Sequence, residues 1–199
     1  MRRFLLAFLA FSVALLALPR SGHAVELKVS RQALDRTLQQ QLFSSADGRY
    51  YLKGDAKSAC SVYAEKATLS FVQDRIFVTV KIHATLGTSL GGKCLGITLN
   101  PTAIVSMLPD AEGESIGFRD AKVEQISNSK ELNFLLTPFL SHQVPSSMKV
   151  NAADILRQSL VGSAKTTGFD ITLTRLKIHS MVIAGDNLVV DADGDLSLK

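Results

Sequence analysis

Tryptophan is absent from the 199-residue chain, and cysteine occurs twice, at Cys60 and Cys94. Beyond the first segment, no apolar run approaches the ~20 residues that a membrane-spanning helix requires. No glycine-rich loop follows a strand and opens a helix, which excludes a phosphate cradle of the nucleotide-binding kind. Past the first segment the histidines are His83, His142 and His179. None lies near another, or near a cysteine, at metal-ligand spacing, so the reading contains no metal and no cofactor. Internal repeats, low-complexity tracts and an obvious domain linker are also missing.

The first segment, MRRFLLAFLAFSVALLALPRSGHA, has two arginines and an apolar run of 15 residues from Phe4 to Leu18. It closes on Gly22-His23-Ala24, with small residues at −3 and −1 of a cut. This is the pattern of a secretory signal peptide, expected to span residues 1–24. It carries no cysteine for a lipoprotein anchor. The expected product is a soluble periplasmic domain over residues 25–199. The leader holds three arginines and no acid, so 19 basic residues remain against 18 acidic ones, and the net charge falls from +4 to +1. Nucleic acid is thereby excluded as a partner, because its binding needs a basic patch that displaces counterions.

The remaining length is enough for one domain with a sizeable core. In VSRQALDRTLQQQLF, Ser30 is a helix N-cap, and Leu34, Leu38 and Leu42 recur at i, i+4, i+8. Alternating runs follow. Tyr63, Ala67, Leu69 and Phe71 form one apolar phase, and Ile76, Val78, Val80, Ile82, Ala84 and Leu86 form the next. A two-residue turn at Gln73-Asp74 puts both on one face, with Phe71 opposite Ile76, Leu69 opposite Val78 and Ala67 opposite Val80. CLGITLN continues the alternation. Pro101 and Pro109 are expected to interrupt it, and SIGFRDAKVEQI reads as a further strand. SKELNFLLTPFLSHQV is helical, kinked or split at Pro138. NAADILRQSLVGSA is a helix capped by Asn151. A pair of strands closes the chain, from Ile171 to Ile183 and from Leu188 to Leu198. The fold class is α+β: an antiparallel sheet with one apolar face, covered by amphipathic helices.

The last strand carries Asp191, Asp193 and Asp195. A calcium loop counted from Asp191 needs glycine at position six and a carboxylate at position twelve. Leu196 holds the sixth place and the chain stops at the ninth. The acids read instead as a strand's outer face. A three-residue turn at Gly185-Asp186-Asn187 would set Lys177 opposite Asp195 and His179 opposite Asp193.

Two cysteines in an exported chain read as one disulfide. Both lie on the polar phase of their strands. With the simple register each falls opposite Gly87, about 9.6 Å apart at the usual strand spacing. A bridge needs Cα atoms within about 7 Å. The bridge is therefore expected with the middle strand ending near Leu86 and GTSLGG looping away. GTSLG also matches G-x-S-x-G with Ser89 as nucleophile. An elbow requires a helix after the serine, however, and here a strand follows.

The order of elements resembles small bacterial members of the tubular lipid-binding (TULIP) superfamily. It carries LKVSRQALDRTLQQQL at the start, LNFLLTPFL late and GDNLVVDADGDLSL at the end. It is similar to half of a bactericidal/permeability-increasing-type protein. The resemblance implies a highly curved antiparallel sheet wrapped around a helix, with an apolar groove for acyl chains. The groove candidates are Leu34, Leu38, Leu69, Phe71, Val78, Val80, Ile82, Leu135 and Phe139. A departure is that Pro138 and Pro145 break the late helical region. The expected partner is a lipid or other acyl-chain ligand, with peripheral membrane contact and no catalysis. The alternatives are a non-catalytic adaptor domain that binds a protein partner, and an esterase that uses Ser89.

Overall fold

The computed structural model describes residues 24–199. The expected signal segment lies outside them, apart from Ala24 at its end. Strand β1 (Ala24–Ser30) leads directly into helix α1 (Arg31–Leu42). Ser30 is extended, and its Oγ accepts the Ala33 N–H at 3.2 Å, satisfying one of the donors that a helix start leaves free. Leu34, Leu38 and Leu42 are buried along one stripe, as their spacing requires.

Strands β2 (Tyr50–Lys53), β3 (Val62–Val72), β4 (Arg75–Leu90), β6 (Thr102–Glu112), β7 (Ser115–Gln125) and β8 (Val150–Asn151) pair in that order, all antiparallel. β5 (Lys93–Leu99) pairs with the far half of β4. A second sheet runs β1–β10–β9, from β9 (Ile171–Ala184) and β10 (Asn187–Leu198). The whole is an α+β fold in which a curled antiparallel half-barrel of sheet is lined by helices. The inner faces of both sheets and the helices share one core, from Leu34 and Val78 through Leu136 to Val190.

Bulges make the sheet curl. In β3 the register shifts between Glu65 and Thr68, and Lys66 takes φ 52°. The Gln39 amide of α1 donates to the Ala67 carbonyl at 2.7 Å beside that bulge. β6 and β7 shift twice, at Ile104/Val105 and at Ser106/Leu108, and Asp120 has φ 52°. Arg75 sits over this second irregularity. Its Nε donates to Ser106 Oγ at 2.9 Å, and its Nη2 donates to the Asp120 carbonyl at 2.6 Å. An ion pair to Asp120 Oδ2 at 2.9 Å completes the clamp and holds that carboxyl below the usual carboxylate range.

The bulges also correct the simple alternation. Phe71 opposes Ile76 and Leu69 opposes Val78 around the Gln73-Asp74 turn, as expected. Past Lys66 the phase reverses. Val62 and Ala64 turn inward, Tyr63 turns outward to stack on His83, and Ala67 has no direct pair with Val80. Pro109 does not end its strand. It lies in β6 opposite Phe118, beyond the last residue paired with β4, where the missing N–H breaks no bond on that side. The closing turn has two residues, Gly185-Asp186, rather than three. A bulge at Asp191/Ala192 shifts the register by one more residue, so Lys177 faces Asp193, and Arg175 faces Asp195. His179, at the bulge, still reaches Asp193, with Nε2 2.7 Å from Oδ2.

The late helical region is continuous. α2 (Lys130–Pro138) passes into a π-helical turn (Phe139–Gln143) and then α3 (Val144–Ser147). Pro138 cannot donate to the turn before it, and its ring crowds that turn. The widened π ring absorbs the misfit without stopping the helix. α4 (Ala152–Leu160), capped by Asn151, and the short α5 (Ala164–Thr167) lead to β9.

Candidate apolar site

Strand β2 is an edge strand of the large sheet, and the π turn runs beside it. The turn rotates Phe139 inward, where its ring stacks on Tyr50 with centroids 5.1 Å apart. Leu132 and Leu136, one helical row away, are sealed in the core. Leu135 is half-buried, and Phe134 is 81% exposed. Between the helix and β2 lies a cleft of about 460 Å³. Its apolar wall is Tyr50, Leu52, Phe134, Leu135, Pro138 and Phe139. Tyr51, His142 and Gln143 supply polar atoms.

Hydrogen bonds fix the polar side of this mouth. Tyr51 OH donates to Asp47 Oδ2 at 2.6 Å. That bond, with a second from Ser45, holds the Asp47 carboxyl below its ordinary value, and the carboxylate raises the Tyr51 phenol. Both effects keep Tyr51 protonated and Asp47 charged at neutral pH. Behind them the Arg49 guanidinium lies 4.2 Å over the Tyr63 ring. The site therefore pairs an apolar wall with a polar, hydrogen-bonded edge.

The nine groove candidates divide into two sets. Leu34, Leu38, Val78 and Val80 have no exposure, Ile82 has 2% and Leu69 has 5%. These six pack against one another in the core, and Phe71 packs partly buried at its edge. Leu135 and Phe139 reach the cleft. Tyr50, Leu52 and Phe134 were not among the candidates. The short run RYYLK between Gly48 and Gly54 was the available signal for the first two.

A larger cleft of about 660 Å³ lies at the far end of β5. Ile97, Leu99, Pro101 and Ile126 line it together with Asn100 and Gln125 through Ser129.

Cys60 and Cys94 form the disulfide, with Cα atoms 5.0 Å apart. The geometry differs from the expected one. β4 runs on to Leu90, and GTSLGG is a hairpin with Ser89 opposite Cys94 and a turn at Gly91-Gly92. The conflict is relieved elsewhere. Cys60 lies before β3 begins at Val62, so it is free to leave the sheet plane. Gly87 and Gly96 oppose each other so closely that a Cβ on either would stand 2.1 or 1.9 Å from a backbone oxygen. Ser89 is exposed in an antiparallel strand and followed by another strand, so the strained elbow of a serine hydrolase is not formed.

No protein-family model matches the chain, and no curated protein matches it. Among solved structures, a crystal structure of lipopolysaccharide binding protein is similar over 89% of this chain and 51% of that one, with 11% identity and a TM-score of 0.33. This chain thus spans about half the length of that protein.

Proposed function

We propose that the protein is an exported lipid-handling component of the cell envelope, of the tubular lipid-binding type, which binds an acyl chain at the cleft between β2 and α2. In this reading residues 1–24 are a cleaved signal peptide, and residues 25–199 are a periplasmic domain without catalytic activity. The observation that carries the reading is the cleft itself. Its volume of about 460 Å³ falls in the range of small-molecule sites, roughly 300–1,000 Å³. One wall is apolar and aromatic, and it opens beside an edge strand and a π turn. The disulfide supports an oxidising compartment.

An acyl chain entering there lies along Phe134 and Leu135 and reaches Phe139 and Tyr50. Its polar head stays at the Tyr51, His142 and Gln143 edge. Deeper entry requires the sealed set, Leu34, Leu38, Leu69, Val78, Val80 and Ile82, to separate from the helices. The test is organic extraction of protein purified from the periplasm, followed by lipid mass spectrometry and titration with a fluorescent fatty acid. Lipid in the extract, and titration weakened by Leu135→Gln, are expected. An empty extract together with no fatty-acid binding overturns the reading.

A further inference from the structure

Beyond Ala84, β4 has lost β3 on one edge, and on the other it pairs with β5 alone. Residues 85–98 form a two-stranded arm, roughly 14 Å from Leu86 to Leu90 at the usual rise per residue. Strand alternation and the register place Leu86, Thr88 and Leu90 of β4 on one face with Lys93, Leu95 and Ile97 of β5. That face continues the inner phase of Ile82 and Ala84, but no helix among the described residues covers its outer part. Leu90 is 66% exposed, Leu95 59% and Ile97 57%. The opposite face carries Gly87, Ser89, Gly96 and the Cys60–Cys94 bridge. An isolated two-stranded hairpin is marginal in water. Here the bridge and the Gly87–Gly96 approach hold Leu90 and Leu95 out in solvent.

The arm's charge is basic. From Thr85 to Thr98 the sequence contains no acid, and its one charged residue, Lys93, stands at the tip opposite Leu90. In the loop that the bridge ties to the arm, the Asp55 carboxylate is taken up by Ser58 Oγ and the Lys57 N–H.

We propose that this arm is a membrane-docking wedge, which inserts its Leu90–Leu95–Ile97 face into the headgroup–acyl boundary of an anionic lipid surface. A stable protein interface takes about 800 Å² and 20–30 residues per side. The arm offers three exposed apolar side chains, Leu90, Leu95 and Ile97, along a narrow glycine-turned hairpin. A lipid surface needs no shape complement, and it rewards apolar insertion with a basic side chain at headgroup level, here Lys93. The proposal goes beyond the cleft reading, because the arm is separate from the cleft and can dock whether or not the cleft holds a chain.

The experiment is co-sedimentation of the purified, oxidised protein with vesicles of phosphatidylglycerol and phosphatidylethanolamine, and with vesicles of phosphatidylcholine alone. Wild type is expected to bind the anionic vesicles more tightly. The double variant Leu90→Asn, Leu95→Asn should bind at least ten-fold more weakly, a conservative figure given the methylenes removed. Ser89→Asn, on the opposite face of the same arm, should bind as wild type. Lys93→Gln should weaken anionic binding and leave phosphatidylcholine binding unchanged. Thermal melts should be alike for all, because these side chains lie outside the core. Wild type failing to bind either vesicle, or equal binding by wild type and the double variant, overturns the proposal. So does a wild-type dimer that the double variant converts to monomer without any vesicle binding. Fatty-acid titration in solution separates the two readings. Its loss with docking intact sinks only the cleft.

Discussion

Glu114, at the turn between β6 and β7, accepts the backbone N–H of Leu176 in β9 through Oε1 at 2.9 Å, and so bonds one sheet to the other. Its Oε2 accepts from Arg157 of α4 at 2.8 Å. Its carbonyl accepts the N–H groups of Ala152 and Ala153. One residue thus ties both sheets to a helix start. The Leu176 bond first, and Arg157 second, hold the carboxyl below its ordinary value. A depressed carboxylate contributes stability that is present above the unfolded value, about 4.3, and is lost as pH falls through the folded one. Melting temperature should therefore fall as pH drops below about 4.3. Asp47, Asp55, Asp120 and Glu131 are held low as well, so they share this limb. Glu114→Gln should melt lower at pH 7 and show a shallower acid decline than wild type. Parallel curves for the two proteins would remove Glu114 from the linkage.

Val80 has no exposure, and its neighbour Lys81 points outward beside Glu65. Val80→Asp buries an unpaired charge at a cost of several kcal/mol and should leave the chain poorly folded. Lys81→Asp places like charges opposite each other on a wet face and should cost less than about 1 kcal/mol. Chemical denaturation of both decides this, and equal midpoints would contradict the assignment of faces.

Gly87→Ala drives a methyl group into the Leu95 carbonyl. It should cost about 1–3 kcal/mol, as overpacking does. Ser89→Ala, two residues on and exposed, should stay within about 0.5 kcal/mol of wild type. Calorimetry of the pair reads the difference directly. An unchanged Gly87→Ala would mean the strands part more easily than their contact implies.

The bridge closes a segment between residues 34 apart in sequence. Replacing both cysteines with serine should cost roughly 3–4 kcal/mol in the chain-entropy account. Denatured, unreduced protein should show no free thiol. Two thiols per chain would refute the bridge.

Much of this fold is legible in the sequence because apolar periodicity reports burial. The Leu34–Leu38–Leu42 stripe, the Phe71–Ile76 turn and the outward acids of β10 all lie where their spacing puts them. The misses come mostly from bulges. A bulge advances a strand by one residue and leaves little mark in composition, so Tyr63 appears on the wrong face, and a bulge together with the shorter closing turn moves Lys177 from Asp195 to Asp193. Lys66 and Asp120 are ordinary residues in the left-handed region, and nothing local announces them. The site suffers likewise. Leu135 and Phe139 belong to the helix pattern, but their neighbourhood with Tyr50 depends on the π turn. A proline signals that the helix is disturbed, but not how the disturbance is absorbed.

The pairing of β1 with β10 has a consequence for the order of assembly. Leu27 opposes Val190 and Val29 opposes Leu188, so the first strand described here waits for the last before it has any neighbour. Pairings between such distant segments close late, because the chain must give up loop entropy before the contact repays it. The β3–β4 hairpin and its stapled arm involve only nearby segments and can form while the rest is still emerging. Until β10 arrives, the apolar sides of β1 and α1 stand uncovered. The interval between those two events is when this chain is most exposed to aggregation, and most in need of a chaperone that shields unpaired strands.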